Sequence, residues 1–258
     1  MAARAIWKGI VRFANVRVPV KLYSAVEDHS FHFRLLHGAD YTPVRQALVN
    51  PQTDAVVPYQ ETHRSYITGE GPWVMLRPDE LAALEPQPAR ELWVLRFLPP
   101  EAIDHRWYLR PYYLGPDNPP GPYFALARAL EREGKQALVR WVMRKKEYVG
   151  VLRLHQGYPM LVVLRHAEEV VPADALAAPR GPQLDDRELA MARQLMAMLE
   201  APFEPQAYRD EYRARVLELI EAKARGGSVK SKPVPKAPPT RDLTRALEAS
   251  LKREHANA

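Results

Sequence analysis

The sequence predicts a mainly β fold with helices added on its C-terminal side, and three observations carry that reading. Residues 16–23 alternate strictly, with Val16, Val18, Val20 and Leu22 on one side and Arg17, Pro19, Lys21 and Tyr23 on the other. That is the period of a strand with one buried and one exposed face. Residues 136–166 hold three apolar runs at hairpin spacing, as an antiparallel sheet or barrel requires. Beyond residue 184 the apolar residues recur at helical spacing instead. The chain also carries 25 prolines, many of them between short apolar runs, which favours strands and turns over long helices.

Taken in order, Ala5–Phe13 is apolar and rich in strand formers, and the alternating strand at 16–23 follows it. Pro19 points to an edge or a bulge in that strand. Phe31, Phe33 and Leu35 repeat the alternation, with His32 and Arg34 on the other side, and predict a further strand. Residues 38–72 hold few large apolar side chains and carry turn signals at Asn50-Pro51 and Gly69–Pro72. They read as an extended excursion from the body. A short helix opens at Pro78-Asp79-Glu80, with Leu81 and Leu84 expected on its buried side. Strands resume at Glu91–Leu98 and Trp107–Leu114, and Tyr123–Glu133 reads as a helix with Gly134 as its C-cap.

In the meander, Val139, Trp141 and Met143 oppose Arg140, Val142 and Arg144, and Val149, Val151 and Arg153 oppose Leu152 and Leu154. Asp185 or Asp186 can cap a helix bearing Leu189, Ala192, Leu195, Met196 and Leu199. Pro202 and Pro205 end it, and a second helix carries Tyr208, Tyr212, Val216, Leu219 and Ile220 on one stripe. That stripe has two possible partners, the chain's own body or a second copy. The Lys- and Pro-rich stretch from Gly226 to Thr240 has no apolar anchor and predicts a disordered linker. Leu243, Leu247 and Leu251, at i, i+4 and i+8, predict an amphipathic helical peptide beyond it.

Charge is distributed unevenly along these parts. Residues 1–167 carry 22 Lys/Arg against 16 Asp/Glu, residues 168–222 carry 6 against 12, and residues 223–258 carry 9 against 3. A basic body, an acidic segment and a basic tail point to a polyanionic partner for the first and last parts. The absence of cysteine excludes disulfides and thiolate metal sites and fits a cytoplasmic location. No apolar run reaches membrane-span length, and the N-terminus lacks a signal-peptide stretch.

The common catalytic signatures do not occur. The nearest approach to a phosphate-binding loop, Gly226–Ser231, has the wrong spacing. There is no nucleophile elbow and no His-Glu-x-x-His. His29, His32 and His37 lie close together but lack a carboxylate at ligand spacing, so they read as surface or strand-face residues. No cofactor and no catalytic residue is expected.

Several strings resemble the prokaryotic Ku family: Arg4–Gly9, Val18–Ala25 followed by Glu27-Asp28-His29, Val57-Pro58-Tyr59, Arg110–Pro116, the stretch Arg140–Arg153, and Tyr208–Ala224. The resemblance runs from about residue 4 to residue 224, plus the terminal peptide. It implies an antiparallel β-barrel core with an extended bridging excursion and a C-terminal helical arm, two copies of which close into a ring-shaped homodimer around duplex DNA. It further implies no enzymatic activity. The expected role is sequence-independent binding of double-stranded DNA ends in non-homologous end joining, with recruitment of DNA ligase D, in the bacterial cytoplasm with the nucleoid. The matching organisation is a core over 1–183, a helical arm over 184–224, a flexible basic linker over 225–240 and a ligase-recruiting peptide and tail over 241–258. Some family members carry cysteines near 45–56, whereas this chain has none there. The additional N-terminal domain of eukaryotic relatives is not expected, because the match begins almost at Met1.

A ring that reads no bases contacts phosphates and sugars, which requires cations on its inner surface. The candidates are Arg17 and Lys21 on one strand face, Arg140 and Arg144 on another with Lys145 and Lys146 at its end, Arg34 and Arg153, and Arg45 and Arg64 in the excursion. Lys230, Lys232 and Lys236 are candidates for loose contacts from the tail, and Leu243, Leu247 and Leu251 for docking into a groove of the ligase. The alternative is a barrel that binds single-stranded nucleic acid or RNA, with Trp7, Phe31, Phe33, Tyr112 and Tyr113 as stacking platforms. Most of those aromatics lie on apolar faces and read as core.

Overall fold

In the computed structural model, which describes residues 4–69, 71–176, 181, 185–226 and 247–252, seven strands close into a barrel. They are β1 (Trp7–Phe13), β2 (Val16–Ser24), β5 (Glu91–Leu98), β6 (Tyr108–Pro116), β7 (Gln136–Met143), β8 (Lys146–His155) and β9 (Tyr158–Leu164). Around the barrel the order is β1-β2-β6-β9-β8-β7-β5. All neighbours are antiparallel except β5 and β1, which run parallel through Ile10↔Glu91, Val11↔Leu92 and Arg12↔Trp93 and close the ring of strands.

The alternating side chains sort as the period of two dictates. Val11, Val18, Val20, Leu22, Leu92, Val139, Trp141, Leu152 and Leu161 are all buried and form one interior cluster. The expected helix after β6 is α2 (Gly121–Glu133), ending at Gly134 in the left-handed conformation. Its Tyr123, Leu126 and Leu130 join the interior cluster, and the Tyr123 hydroxyl donates to the Leu114 carbonyl at 2.6 Å. Gly150 makes room for the largest core residue. A Cβ there would meet the Trp141 ring at 2.8 Å and the Val162 carbonyl oxygen at 2.6 Å.

Residues 25–90 leave the barrel after β2 and return into β5. They contain a two-stranded ribbon, β3 (Arg64–Ile67) with β4 (Trp73–Leu76), and the short helix α1 (Pro78–Ala83). The strand predicted over Phe31, Phe33 and Leu35 is not formed; only the isolated bridges Leu36↔Pro43 and Val49↔Val56 occur between β2 and β3. Alternation alone does not make a strand without a neighbour to complete its ladder. Leu84, expected on a buried face, is 81% exposed, because a six-residue helix on an excursion has no core beneath it.

A second compact unit spans Ala177–Ala258 and holds α3 (Asp186–Met198) and α4 (Glu211–Ala224). Asp185 caps α3 as expected, accepting from the Glu188 amide at 2.7 Å while Glu188 accepts from the Asp185 amide at 3.2 Å. Neither helix has a fully buried residue. Tyr208, Tyr212, Leu219 and Ile220 of the predicted stripe are exposed in the single chain.

Candidate nucleic-acid interface

Register places cations on the outside of the barrel. With Trp7, Gly9, Val11 and Phe13 opposite the inward side of β2, the remaining residues of β1 and β2 face outward as cross-strand pairs: Lys8↔Lys21, Ile10↔Pro19 and Arg12↔Arg17. The row through Arg12 continues across neighbouring strands, Arg12↔Trp93 and Trp93↔Arg140. Four side chains, Arg17, Arg12, Trp93 and Arg140, therefore stand in line across four adjacent strands, a span of about 14 Å at ~4.8 Å per strand.

The row is ordered by its own ion pairs. Arg12 Nη1 donates to both carboxylate oxygens of Glu91, at 3.3 and 3.2 Å, and Arg17 Nη2 lies 3.5 Å from Glu91 Oε1. The Arg12 guanidinium also lies over the Trp93 ring, 4.4 Å from its centroid; Trp93 as a residue is 41% exposed. Arg140 approaches Glu147 at 4.0 Å. Lys21 Nζ contacts Asp117 Oδ1 at 3.0 Å. That hydrogen bond holds the ammonium pKa above its ordinary value, and Lys21 together with the Asn118 amide holds the Asp117 carboxyl below its own.

The topology fixes where this face lies relative to the excursion. β2 and β5 flank β1 in the barrel. The excursion leaves from the end of β2, which pairs beside Trp7, and returns at Glu91, beside Ile10. The departing root is thus at the N-terminal end of β1 and the returning root beside its central residue, one on each side of it, with Lys8, Arg12, Arg17 and Lys21 on the outer face of β1 and β2.

The other predicted cations are placed as follows. Arg144 does not continue the face of Arg140. With Lys145 it forms the two-residue turn between β7 and β8, both in the left-handed region (φ 51° and 64°), so the predicted pairing on one strand face is corrected. Such turns match the twist of hairpin strands, but here no Gly or Asn announces one. The turn lies at the rim where the excursion returns, since Trp141 pairs with Leu92, and Lys145 Nζ contacts Glu85 at 2.9 Å. Lys146 opens β8 at the same rim. Arg153 stands on the outer face of β8, 5.8 Å from the Tyr108 ring centroid. Arg34, Arg45 and Arg64 are exposed along the excursion.

Lys230, Lys232, Lys236 and Leu243 lie outside the described residues. Leu247 and Leu251 are half-buried on a helical stretch over 247–252, where Glu248 pairs with Arg187 at 2.8 Å.

Of the proposed stacking aromatics, Tyr112 is core and Trp7 packs partly buried against the core cluster, whereas Phe33 and Tyr113 are exposed. Phe31 and Phe33 stack on each other at 5.6 Å in the excursion.

Sequence reasoning missed Lys8, Arg12 and Trp93. The signal was present in the alternation of Trp7, Gly9, Val11 and Phe13 with Lys8, Ile10 and Arg12, but the run reads as uniformly apolar when taken whole. Among the described residues no group of three or more His, Cys, Asp or Glu side chains is placed to hold a metal ion, and no helix is long and apolar enough to cross a membrane.

The chain matches a family model described as the Ku70/Ku80 beta-barrel domain over residues 12–191. It is 33% identical over 255 residues to "Non-homologous end joining protein Ku 2" of Geotalea uraniireducens, a match covering 98% of this chain and 99% of that protein. It is 35% identical to the protein named "Non-homologous end joining protein Ku" of Anaeromyxobacter sp., over 96% of this chain and 85% of the relative. The protein of that name from Mycobacterium tuberculosis is 33% identical over 99% of this chain and 97% of its own length. With its closed seven-strand barrel and a family match over well over half its length, the chain belongs to the Ku family of non-homologous end joining proteins.

Proposed function

We propose that this chain binds the ends of double-stranded DNA without reading sequence, as a homodimeric ring, and recruits DNA ligase D to the break in non-homologous end joining. The observation that carries the reading is the position of Lys8, Arg12, Arg17 and Lys21, on the outer barrel face flanked by both roots of the excursion. Duplex DNA lying on this face is enclosed when the excursion passes over it. Arg34, Arg45 and Arg64 then approach from the excursion, and Arg144, Lys145 and Lys146 from the rim. The row from Arg17 to Arg140, about 14 Å long, is comparable with the ~12 Å width of a B-form major groove, so its two ends can reach phosphates on both sides.

The exposed apolar side chains of the excursion, among them Tyr59, Trp73 and Met75, supply the surface by which a second copy completes the ring. A surface this apolar is unusual on a monomer and marks an interaction site. The tail over 225–258 tethers the ligase-recruiting peptide, in which Leu243, Leu247 and Leu251 dock, and Lys230, Lys232 and Lys236 add loose phosphate contacts. No catalytic step is assigned to the chain; the chemistry belongs to the recruited ligase.

The test is retardation of one plasmid in two forms, linear and closed circular, at moderate salt with competitor. Retarded linear DNA beside untouched circles supports threading from an end. Equal retardation of both forms means side-on electrostatic binding and removes the ring.

A further inference from the structure

The cation pair Arg12–Arg17 presents a physical problem that the structure solves in a specific way. Like charges directly opposite each other on neighbouring strands are destabilising, and two unrestrained guanidiniums would swing apart into solvent. Glu91, on the strand beyond β1, reaches both of them. Its two oxygens accept from Arg12 Nη1, and Oε1 lies 3.5 Å from Arg17 Nη2. Trp93, two residues along β5, underlies the Arg12 guanidinium at 4.4 Å.

A guanidinium has five donors in a rigid fork, and Glu91 engages Arg12 through one nitrogen. The remaining donors stay available to a ligand.

We propose that Glu91 is a positioning residue for the DNA backbone: it holds Arg12 and Arg17 as a preset pair between which one phosphate is seated. This rests on the reading that the outer face of β1 and β2 contacts DNA. The competing role is an electrostatic brake, since a carboxylate on a polyanion-binding face repels the polyanion. Two features favour positioning. The Glu91 side chain is only 22% exposed and already lies between two cations, so its field on a third charge is largely cancelled. Long Arg side chains lose rotamer freedom when they bind, and here folding has already restricted it, as preorganisation requires.

The two roles predict opposite signs. Glu91→Gln raises the net charge by one, so a brake predicts tighter binding of linear duplex and a steeper salt dependence. Positioning predicts binding weakened about three- to tenfold at constant salt. It also predicts a log–log salt slope shallower by about 1, because one phosphate contact is lost at roughly 0.9 per phosphate.

The experiment measures affinity for a linear duplex across a salt series with the full chain, for wild type, Glu91→Gln and Glu91→Asp. Partial misfolding lowers the active fraction and leaves the slope unchanged, so a shallower slope is the outcome a merely structural role does not give. Glu91→Asp keeps the charge but withdraws the carboxylate by one methylene. Positioning predicts a loss there too, and a brake predicts wild-type binding; this variant carries the test if Glu91→Gln does not fold. Unchanged or tighter binding by Glu91→Gln overturns the proposal. The double variant Arg17→Gln/Lys21→Gln separates the two levels. Wild-type binding by it removes the DNA face and this inference with it. Weakened binding by it alongside unaltered Glu91→Gln overturns the role of Glu91 alone.

Discussion

The barrel and the excursion belong to one compact unit yet are stabilised on opposite terms. In the barrel, Trp141 is 1% exposed and stacks on Tyr148 at 5.4 Å; in the excursion, Trp73 is 70% exposed on a two-stranded ribbon. The barrel buries its own apolar surface. The excursion holds its course through local turns, such as Asp28 accepting from Ser30, Asp40 from Thr42 and Asn50 from Gln52, and leaves its large side chains outside. An isolated two-stranded hairpin is marginal in water, and under the proposed assembly a second copy supplies the surface that fixes the excursion. The same residue type is thus buried in one region and, under the proposed assembly, kept for a second copy in the other.

The largest effect that sharpens this contrast is Trp141→Ala. Truncating a buried aromatic leaves a cavity, and a loss of about 3–5 kcal/mol is expected in denaturant unfolding of the barrel. Gly150→Ala comes next. A methyl placed 2.8 Å from the Trp141 ring and 2.6 Å from a carbonyl oxygen overpacks the same spot from the other side, at about 1–3 kcal/mol; unchanged unfolding would mean the barrel wall yields there.

The third prediction concerns pH. The Asp117 carboxyl, hydrogen-bonded by Lys21, is held below its ordinary value of 3.8, and Lys21 is held above its ordinary 10.5. A depressed carboxyl stabilises the fold fully above its unfolded value, and that stabilisation is lost as the pH falls below about 3.8 through the folded value. The raised ammonium stabilises below 10.5, and its contribution is lost as the pH rises beyond that. Asp117→Asn therefore lowers stability between these limits and flattens the acid limb of a pH–melting curve, which wild type retains.

The smallest expected effect on folding is Trp73→Ala, within about 0.5 kcal/mol in the unfolding transition, as for surface substitutions in general. Under the proposed assembly the same variant shifts the monomer–dimer equilibrium toward monomer in sedimentation. A large loss of barrel stability instead would show that the excursion is folded against its own chain.

Most of the barrel was legible because its signals are local. Val16–Tyr23 and 136–166 alternate with an unambiguous inward side, Gly134 ends α2 where a left-handed residue is needed, and Asp185 caps α3. What was not legible depends on partners far away in sequence. Phe31, Phe33 and Leu35 alternate as well as any strand, but among the described residues they join no β-ladder. Arg144 and Lys145 form a left-handed turn without the residues that usually mark one, so Arg144 was assigned to the face of Arg140. The site suffered the same way. Arg17 and Lys21 could be read from one strand, whereas the row Arg17, Arg12, Trp93 and Arg140 exists only once the register of four strands is known. Glu91, a routine strand-opening residue in sequence, gains its role from the parallel seam alone.

That parallel seam has a mechanical consequence. β2 runs antiparallel to β1 and β5 runs parallel to it, so β2 runs into the excursion and β5 out of it on the side toward the N-terminus of β1. A pull transmitted through the excursion therefore draws β2 and β5 in one direction along β1. The hydrogen bonds of both seams lie across the strands, so they are loaded together in shear instead of being unzipped one at a time. A load carried by the excursion is shared between the two seams of β1 and, on the far sides of β2 and β5, those with β6 and β7.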